Sequence, residues 1–393
     1  MKILTFTTLF PSSVRPNHGI FVATRLKQLI STGEVQAQVV APVPWFPFTH
    51  QAFGKYSVFA STPKHETLIN LQVHHPRYFL PPKIGMNIAP LLLAQAAKPT
   101  LKRILESGYD FDLIDAHYFY PDGVAAVLLG KYFNKPVTIT ARGSDINLLP
   151  KYRWPRKWIH WASSRASAMI TVCEALKQEI GRLDVDESRV ITLRNGVDLK
   201  KFYPPEDRET ERARLGLNNF TLLSVGNLIP LKGHHLVIEA VAQLPEVTLL
   251  IAGNGPEKTA LENLARKLGV NDRVKILGSI PHDQLRQYYG AADALVLASS
   301  REGWANVLLE SMACGTPVLA TNVSGTPEVV TAPEAGSLIN ERSVEGIVGA
   351  VKTLRTTTRD RIKTRQFAER FSWDETTQGQ LQLFNRILGS RTS

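Results

Sequence analysis

The 393-residue chain has only two cysteines, Cys173 and Cys314. Each lies in an apolar stretch, and neither has a Cys-x-x-Cys partner or a nearby set of histidines. That argues against a disulfide framework and a structural zinc site, and it fits a reducing cytosol. Long hydrophobic runs are also missing. The longest nearly apolar stretch, Ile84 to Ala97, is interrupted by Asn87, Pro90 and Gln95, whereas a bilayer span takes about 20 apolar residues. The opening Met1-Lys2-Ile3-Leu4-Thr5-Phe6 carries one charge and a short apolar run. A signal peptide needs a longer apolar core and a small-residue cleavage site, so this segment is read as the first strand of a sheet. Acidic residues are scarce in one half only. Residues 1–194 hold 23 Lys+Arg against 13 Asp+Glu, and residues 195–393 hold 23 against 22. A basic first half predicts an anionic partner there, whether membrane, polyphosphate or nucleic acid; the alternative is a merely solvated surface.

What is present is ordinary globular composition, 44% hydrophobic and 21% charged, in a chain longer than one core usually serves. Short apolar runs alternate with helical patterns. Ile3–Phe6, Gln38–Ala41, Leu113–Ala116, Val137–Thr140 and Ala168–Val172 read as strands, with helices such as Phe21–Ser31 and Gly123–Phe133 between them. The pattern restarts with Phe220–Val225, Thr248–Ala252, Val274–Leu277, Ala294–Leu297, Pro317–Ala320 and Gly336–Ile339. Alternation of this kind predicts parallel sheets covered by helices on both faces. The linker is placed near residues 195–215, and the tail from Asp360 to Leu388 reads as amphipathic helix. Two such lobes predict a ligand in the cleft between them.

The densest motif runs from Ser299 to Val318. It reads as a strand end, a loop containing Gly303, and a helix starting near Asn306 whose N-terminus suits a phosphate. Glu302 precedes that helix and Glu310 lies about one turn inside it. Two carboxylates so placed can grip one ligand, although an isolated pair would equally be a dipole-favoured residue and a solvated one. Upstream, Ser224-Val225-Gly226-Asn227-Leu228-Ile229-Pro230-Leu231-Lys232-Gly233 joins a strand to a helix. There Lys232 can meet a phosphate as a point charge. Leu250 to Pro256 and Arg273 to Ile280 are two more strand-to-turn segments, the first with a weak Gly-Asn-Gly signal at Asn254. In the first lobe, Gly19 precedes a helix, His117 ends a strand, and Thr140-Ala141-Arg142-Gly143-Ser144-Asp145 follows another. Strand C-terminal ends are where α/β sheets hold ligands.

The pattern Glu302, seven residues, Glu310, then Ala313-Cys314-Gly315-Thr316-Pro317-Val318 resembles the retaining glycosyltransferases of family 4. The resemblance implies the GT-B fold: α/β, two Rossmann-like domains facing each other across a cleft, with the C-terminal helix crossing back to the first domain. It implies an acceptor-binding domain at 1–195 plus 372–393 and a nucleotide-sugar domain at 196–371. By resemblance, Glu310 binds the ribose hydroxyls, Glu302 and His117 contact the transferred sugar, and Lys232 with the amides near Asn306 and Val307 holds the diphosphate. Gly19, Asn227 and Asn254 line the donor, and backbone near Ile280 reads the base. Asn227 stands where the family most often has Arg, and Arg142 replaces the His of a His-Gly-Ser-Asp segment. Arg142 and Asp145 are assigned to an acceptor or to a structural ion pair.

The implied reaction moves a sugar from a nucleoside diphosphate, UDP by expectation, to a hydroxyl of a lipid-linked or saccharide acceptor. A sub-pattern, Phe10-Pro11-Ser12-Ser13 with Gly19-Ile20-Phe21 and Gly303-Trp304-Ala305-Asn306, is similar to enzymes of bacterial cell-surface polysaccharide assembly, including the teichuronic-acid type. No cofactor or metal is expected, because no Asp-x-Asp pair is placed to carry one on the diphosphate. The interleaved basic and aromatic residues from Lys151 to Trp161 suit an anionic membrane surface. The expected location is therefore cytoplasmic, with peripheral attachment to the inner face, and no nucleic-acid partner. Two rival readings stay open: a sugar-nucleotide 2-epimerase of the same fold, and an inactive membrane- or nucleic-acid-binding relative.

Overall fold

The computed structural model describes residues 1–81, 85–357 and 360–390. The chain forms two compact units, Met1–Asn195 with Asp374–Ser393, and Gly196–Trp373.

Among the described residues of the first unit ten short strands form: β1 (Lys2–Phe6), β2 (Gln36–Val40), β3 (Val43–Pro44), β4 (His65–Leu68), β5 (Leu71–His74), β6 (Arg77–Tyr78), β7 (Leu113–His117), β8 (Val137–Ala141), β9 (Ala168–Thr171) and β10 (Val190–Thr192). Eight of them make one sheet in the order β10-β9-β8-β7-β1-β2-β5-β4. Neighbours run parallel except the edge pair β4 and β5. Every residue of β7 and β8 is buried, as expected for strands covered on both faces. Strands β3 and β6 form a separate two-stranded parallel ribbon. The C-terminal helix Asp374–Gly389 belongs to this unit. Its Leu381 and Phe384 lie in one core with Ile3, Val22, Leu26, Val39 and Leu113. Full burial of one such side chain contributes about 1.5–3 kcal/mol, enough to hold the returning helix in the unit.

The second unit carries β11 (Phe220–Val225), β12 (Val247–Ala252), β13 (Val274–Gly278), β14 (Ala294–Leu297), β15 (Val318–Thr321) and β16 (Gly336–Ile339). Their order is β13-β12-β11-β14-β15-β16, all parallel. In both sheets the strand order therefore reverses, between β1 and β7 in the first unit and between β11 and β14 in the second. In open α/β sheets the crevice beyond the strand C-termini at such a reversal is where ligands bind.

The tail splits into two helices, Arg361–Ala368 and Asp374–Gly389. The first starts where the Asp360 carboxylate accepts N–H groups of Ile362 and Lys363, at 2.9 and 3.3 Å, a side-chain N-cap. The apolar stretch noted at 84–97 falls in the helix Gly85–Glu106, and Ile84 itself lies outside the described residues. Among the described residues, no helix is long and apolar enough to cross a membrane.

Candidate active site

The second unit carries eight candidate residues, all beyond the C-terminal ends of β11 to β14. The loop after β11 runs from Gly226 to Gly233 and ends in the helix His234–Ala242. Gly233 has φ +69°, and a Cβ there would sit 2.2 Å from the Ala298 carbonyl oxygen beyond β14. Only glycine allows the two strand-end loops to approach this closely. The approach sets Lys232 against Glu302, with Nζ 2.5 Å from Oε1. An ammonium has three N–H donors, so this bond leaves capacity for a phosphate. His234 adds no charge to the loop, because burial pushes its pKa down to about 4. Asn227 and Asn254 lie exposed on neighbouring turns, joined through a bond from Leu228 N–H to the Asn254 carbonyl at 3.0 Å.

Glu302 precedes the helix Asn306–Ala313, whose N-terminus has no side-chain cap. Asn306 and Val307 are its first two residues, and the helix N-terminus carries partial positive charge. Glu310 lies four residues further on and is buried. Its Oε1 accepts from His282 Nε2 at 2.8 Å, and its Oε2 accepts from the Tyr289 hydroxyl at 2.8 Å. Lys201 Nζ donates to His282 Nδ1 at 2.7 Å, so the imidazole presents Nε2–H to the carboxylate. Burial and the Glu310 charge hold the Tyr289 phenol well above its usual range, which keeps it a donor. Ile280 sits just after β13, two residues before His282, and is half-buried. Cys314 is no nucleophile: burial pushes its thiol up to about 12.

The first unit gathers Gly19, His117, Arg142 and Asp145 at its own reversal. Gly19 has φ +65° directly before the helix Ile20–Ser31, and a Cβ would meet the Leu9 carbonyl at 2.3 Å. His117, the last residue of β7, is fully enclosed. Its Nε2 faces Asp115 Oδ2 at 3.1 Å, and its Nδ1 accepts from Arg142 Nη2 at 2.6 Å. Burial, outweighing Asp115, pushes its pKa down to about 4, so the ring is neutral with both nitrogens engaged. Arg142 also donates to Asn195 Oδ1 at 3.2 Å and stacks over Phe21 at 5.3 Å. Burial, with Arg25 nearby, lowers its pKa to about 9. Asp145 instead accepts the backbone N–H groups of Phe119, Arg142 and Gly143 at 2.6, 3.1 and 2.7 Å. It thereby ties the ends of β7 and β8 together, while the Arg142 guanidinium goes to His117 and Asn195.

Two Asp-x-Asp pairs exist in the chain, at 110–112 and 184–186. Asp110 pairs with Lys135 at 2.6 Å, and Asp112 accepts Lys2 N–H at 2.7 Å. Both precede β7, at the opposite strand end from His117. Asp186 caps a short helix by accepting Ser188 N–H at 3.0 Å. Among the described residues, no group of three His, Cys, Asp or Glu is placed to hold a metal ion.

Comparison with known families fits this geometry. Residues 207–371 match the model of the glycosyl transferases group 1, and residues 51–201 match Glycosyltransferase Family 4. The chain carries two glycosyltransferase domains. The first match spans Lys232, Glu302 and Glu310, and the second spans His117, Arg142 and Asp145. The glycosyltransferase is 29% identical over 358 residues to TuaC of Bacillus subtilis (strain 168), named for teichuronic acid biosynthesis, covering 89% of this chain and 88% of that one. It is 28% identical over 325 residues to a D-inositol 3-phosphate glycosyltransferase of Corynebacterium urealyticum, covering 76% and 77%. Among solved structures, sucrose-phosphate synthase from Thermosynechococcus elongatus superposes with a TM-score of 0.79 at 18% identity over 99% of both chains. Anabaena Alr3699/HepE in complex with UDP-glucose gives 0.70 at 20% over 99% and 100%. These likenesses show the GT-B fold.

Several residues of the glycosyltransferase's sites escaped the sequence reading. His282, Lys201 and Tyr289 around Glu310 are separated from it by 28, 109 and 21 positions, and no local spacing joins them. In the first unit, buried Arg25 donates Nε–H to Gln380 Oε1 at 2.9 Å, and Gln380 donates to Asp115 Oδ2 at 3.0 Å. The tail helix thus reaches the carboxylate that holds His117. A buried Arg in an otherwise apolar helical face was the one available signal.

Proposed function

We propose that this glycosyltransferase moves a sugar from a UDP-sugar to a hydroxyl of a lipid-linked or saccharide acceptor, in cytoplasmic synthesis of cell-surface polysaccharide, with retention and without a metal. The observation that carries the reading is the Lys232–Glu302 pair at the reversal of the second sheet, with Glu310, held by His282 and Tyr289, on the helix that follows. Glu310, held by His282 and Tyr289, offers its remaining lone pairs to ribose hydroxyls. The uncapped helix at Asn306 and Val307, with Lys232, meets the diphosphate. Glu302 beside Lys232 faces the sugar. The C1–O bond to the diphosphate breaks, and UDP leaves with the electron pair. The acceptor oxygen bonds to C1 on the same face, and its proton passes to the departing phosphate oxygen. The enzyme's part is positioning and fixed charge that stabilises the leaving diphosphate. The neighbour solved with UDP-glucose supports the choice of donor, and TuaC's name supports the pathway class. Peripheral docking of the basic first unit on an anionic membrane belongs to the same reading.

The test is UDP release from a panel of UDP-sugars, with and without added acceptor. Release that depends on acceptor is expected. Release or epimerisation without acceptor favours the 2-epimerase, and neither binding nor release of any nucleotide sugar defeats the enzymatic reading.

A further inference from the structure

We propose that the first unit inserts an aromatic knob, residues 45–56 with Phe79, Leu80 and Met86 beside it, into anionic bilayers, while the helix Arg153–Ser163 supplies charge. The inference rests on the membrane part of the proposed function and names the surface that performs it.

The basic helix alone is poorly equipped to insert. Trp158 donates Nε1–H to the Asn87 carbonyl at 3.2 Å and packs edge-on against Trp161 at 5.6 Å. Only Trp154 stands out, with Lys157 over its ring at 5.5 Å. The helix therefore presents Arg153, Arg156 and Lys157 with little apolar surface.

The apolar surface lies next to it. After β3, no residue from Trp45 to Tyr56 is buried. The rings there pack on one another: Phe46 meets Phe53 at 5.3 Å and Tyr56 at 5.2 Å, and Phe48 stacks on Phe53 at 5.3 Å. Trp45 N–H donates to the Tyr78 carbonyl at 2.7 Å, extending the β3/β6 ribbon and setting Phe79 beside Trp45. Leu80 lies against Gly85, at the start of the helix that carries Met86 and Asn87, and Asn87 binds Trp158 of the basic helix. One continuous surface results, with exposures from 40% at Met86 to 59% at Phe79. Soluble monomers rarely expose contiguous apolar patches of this kind without a partner.

Charge names the partner. From residue 35 to 105 the only acidic residue is Glu66, against seven Lys or Arg, and from 146 to 173 there is none against five. Glu66 is turned to His75 at 2.8 Å. An acid-free basic border around exposed aromatics matches an anionic lipid surface. Phe48 and Phe53 carry no polar atom, so they suit acyl chains better than saccharide rings, which need flanking hydrogen-bond donors.

The full chain is sedimented with phosphatidylcholine vesicles, with and without phosphatidylglycerol, at low and high salt. Wild type should bind only the anionic vesicles. Phe48→Ser with Phe53→Ser should weaken that binding roughly tenfold or more and leave its salt dependence. Arg153→Glu, Arg156→Glu and Lys157→Glu together should abolish it. UDP binding, whose groups lie in the second unit, should be unchanged in both variants, and an unchanged circular dichroism spectrum and thermal unfolding profile check that the first unit folds. No binding by wild type overturns the membrane reading as a whole. Undiminished binding by the Phe pair overturns this inference alone. So does loss in that pair of binding to soluble oligosaccharide with vesicle binding intact, which would make the knob a saccharide platform.

Discussion

Replacing Glu310 by Gln keeps its shape and removes its charge, and the surrounding bonds set the size of the effect. Each carboxylate oxygen has two acceptor positions. One on Oε1 is taken by His282 and one on Oε2 by Tyr289. One position per oxygen remains for the two ribose hydroxyls. In the amide, one oxygen becomes NH2. The Tyr289 hydroxyl can rotate and accept from it. His282 has no such freedom, because Lys201 occupies Nδ1 and fixes Nε2–H as a donor. The amide oxygen therefore stays toward His282, and the side facing Tyr289 loses its acceptor for ribose. A hydrogen bond to a charged group contributes about 1.5–3 kcal/mol, so UDP should bind roughly 10- to 150-fold more weakly. Titration calorimetry measures this directly, and thermal unfolding without nucleotide checks that the variant is folded. His282→Ala should weaken UDP by less, and the double variant should fall short of the product of the two. Unchanged UDP affinity in a folded Glu310→Gln protein would refute the ribose assignment.

Lys232→Ala should lower turnover more than Glu302→Ala lowers UDP affinity, since Lys232 meets charge that grows on the leaving diphosphate; near-normal turnover in the Lys232 variant counts against its role. Activity should survive EDTA, and a loss restored by magnesium or manganese would show that a metal carries the diphosphate. Burial raises the Asp122 carboxyl from 3.8 to about 7, so the folded state holds a proton there that the unfolded chain releases. Stability should therefore fall between about pH 4 and 7, by up to ~1.4 kcal/mol per pH unit from this group, and level off above. Asp122→Asn should flatten that slope in chemical denaturation, and an unaltered slope would place the titration elsewhere. Gly19→Ala should destabilise the first unit by more than 1 kcal/mol, from its positive φ and the Leu9 carbonyl in the path of a Cβ; an unchanged melting temperature would refute this.

The second unit was the more legible in sequence because its strands are apolar on both faces and its turns are marked by glycine. Phe220–Val225, Ala294–Leu297 and Gly336–Ile339 form at the residues expected, and the helix carrying Glu310 begins at Asn306. The first unit hid more. The β4/β5 hairpin turns at Ile69 and Asn70, with φ +54° and +61°. Such a turn favours Asn or Gly, and Ile at its first position masks it. The two-residue strands β3 and β6 are too short for any alternation to register. The helix Gly85–Glu106 holds Pro90 and Pro99, which from sequence alone speak against a helix.

The partners within each site were illegible for a different reason. Periodicity reports which face of an element is apolar. It says nothing about which distant side chain closes on a buried carboxylate. Glu310 could be singled out by its spacing from Glu302, yet what fixes its orientation comes from Tyr289, His282 and Lys201 on three other segments. His117 was placed correctly at a strand end, but its neutrality follows from full burial and the nearby Arg142, which together outweigh the opposing pull of Asp115. In both units one buried polar group is held by a second that a third orients: Lys201, His282 and Glu310 in one, Gln380, Asp115 and His117 in the other. Such chains are costly to bury unless every member is satisfied, so they persist only where the fold brings all three together. That requirement belongs to the tertiary structure, which explains why the sequence marks the end member of each chain and leaves the supports unmarked.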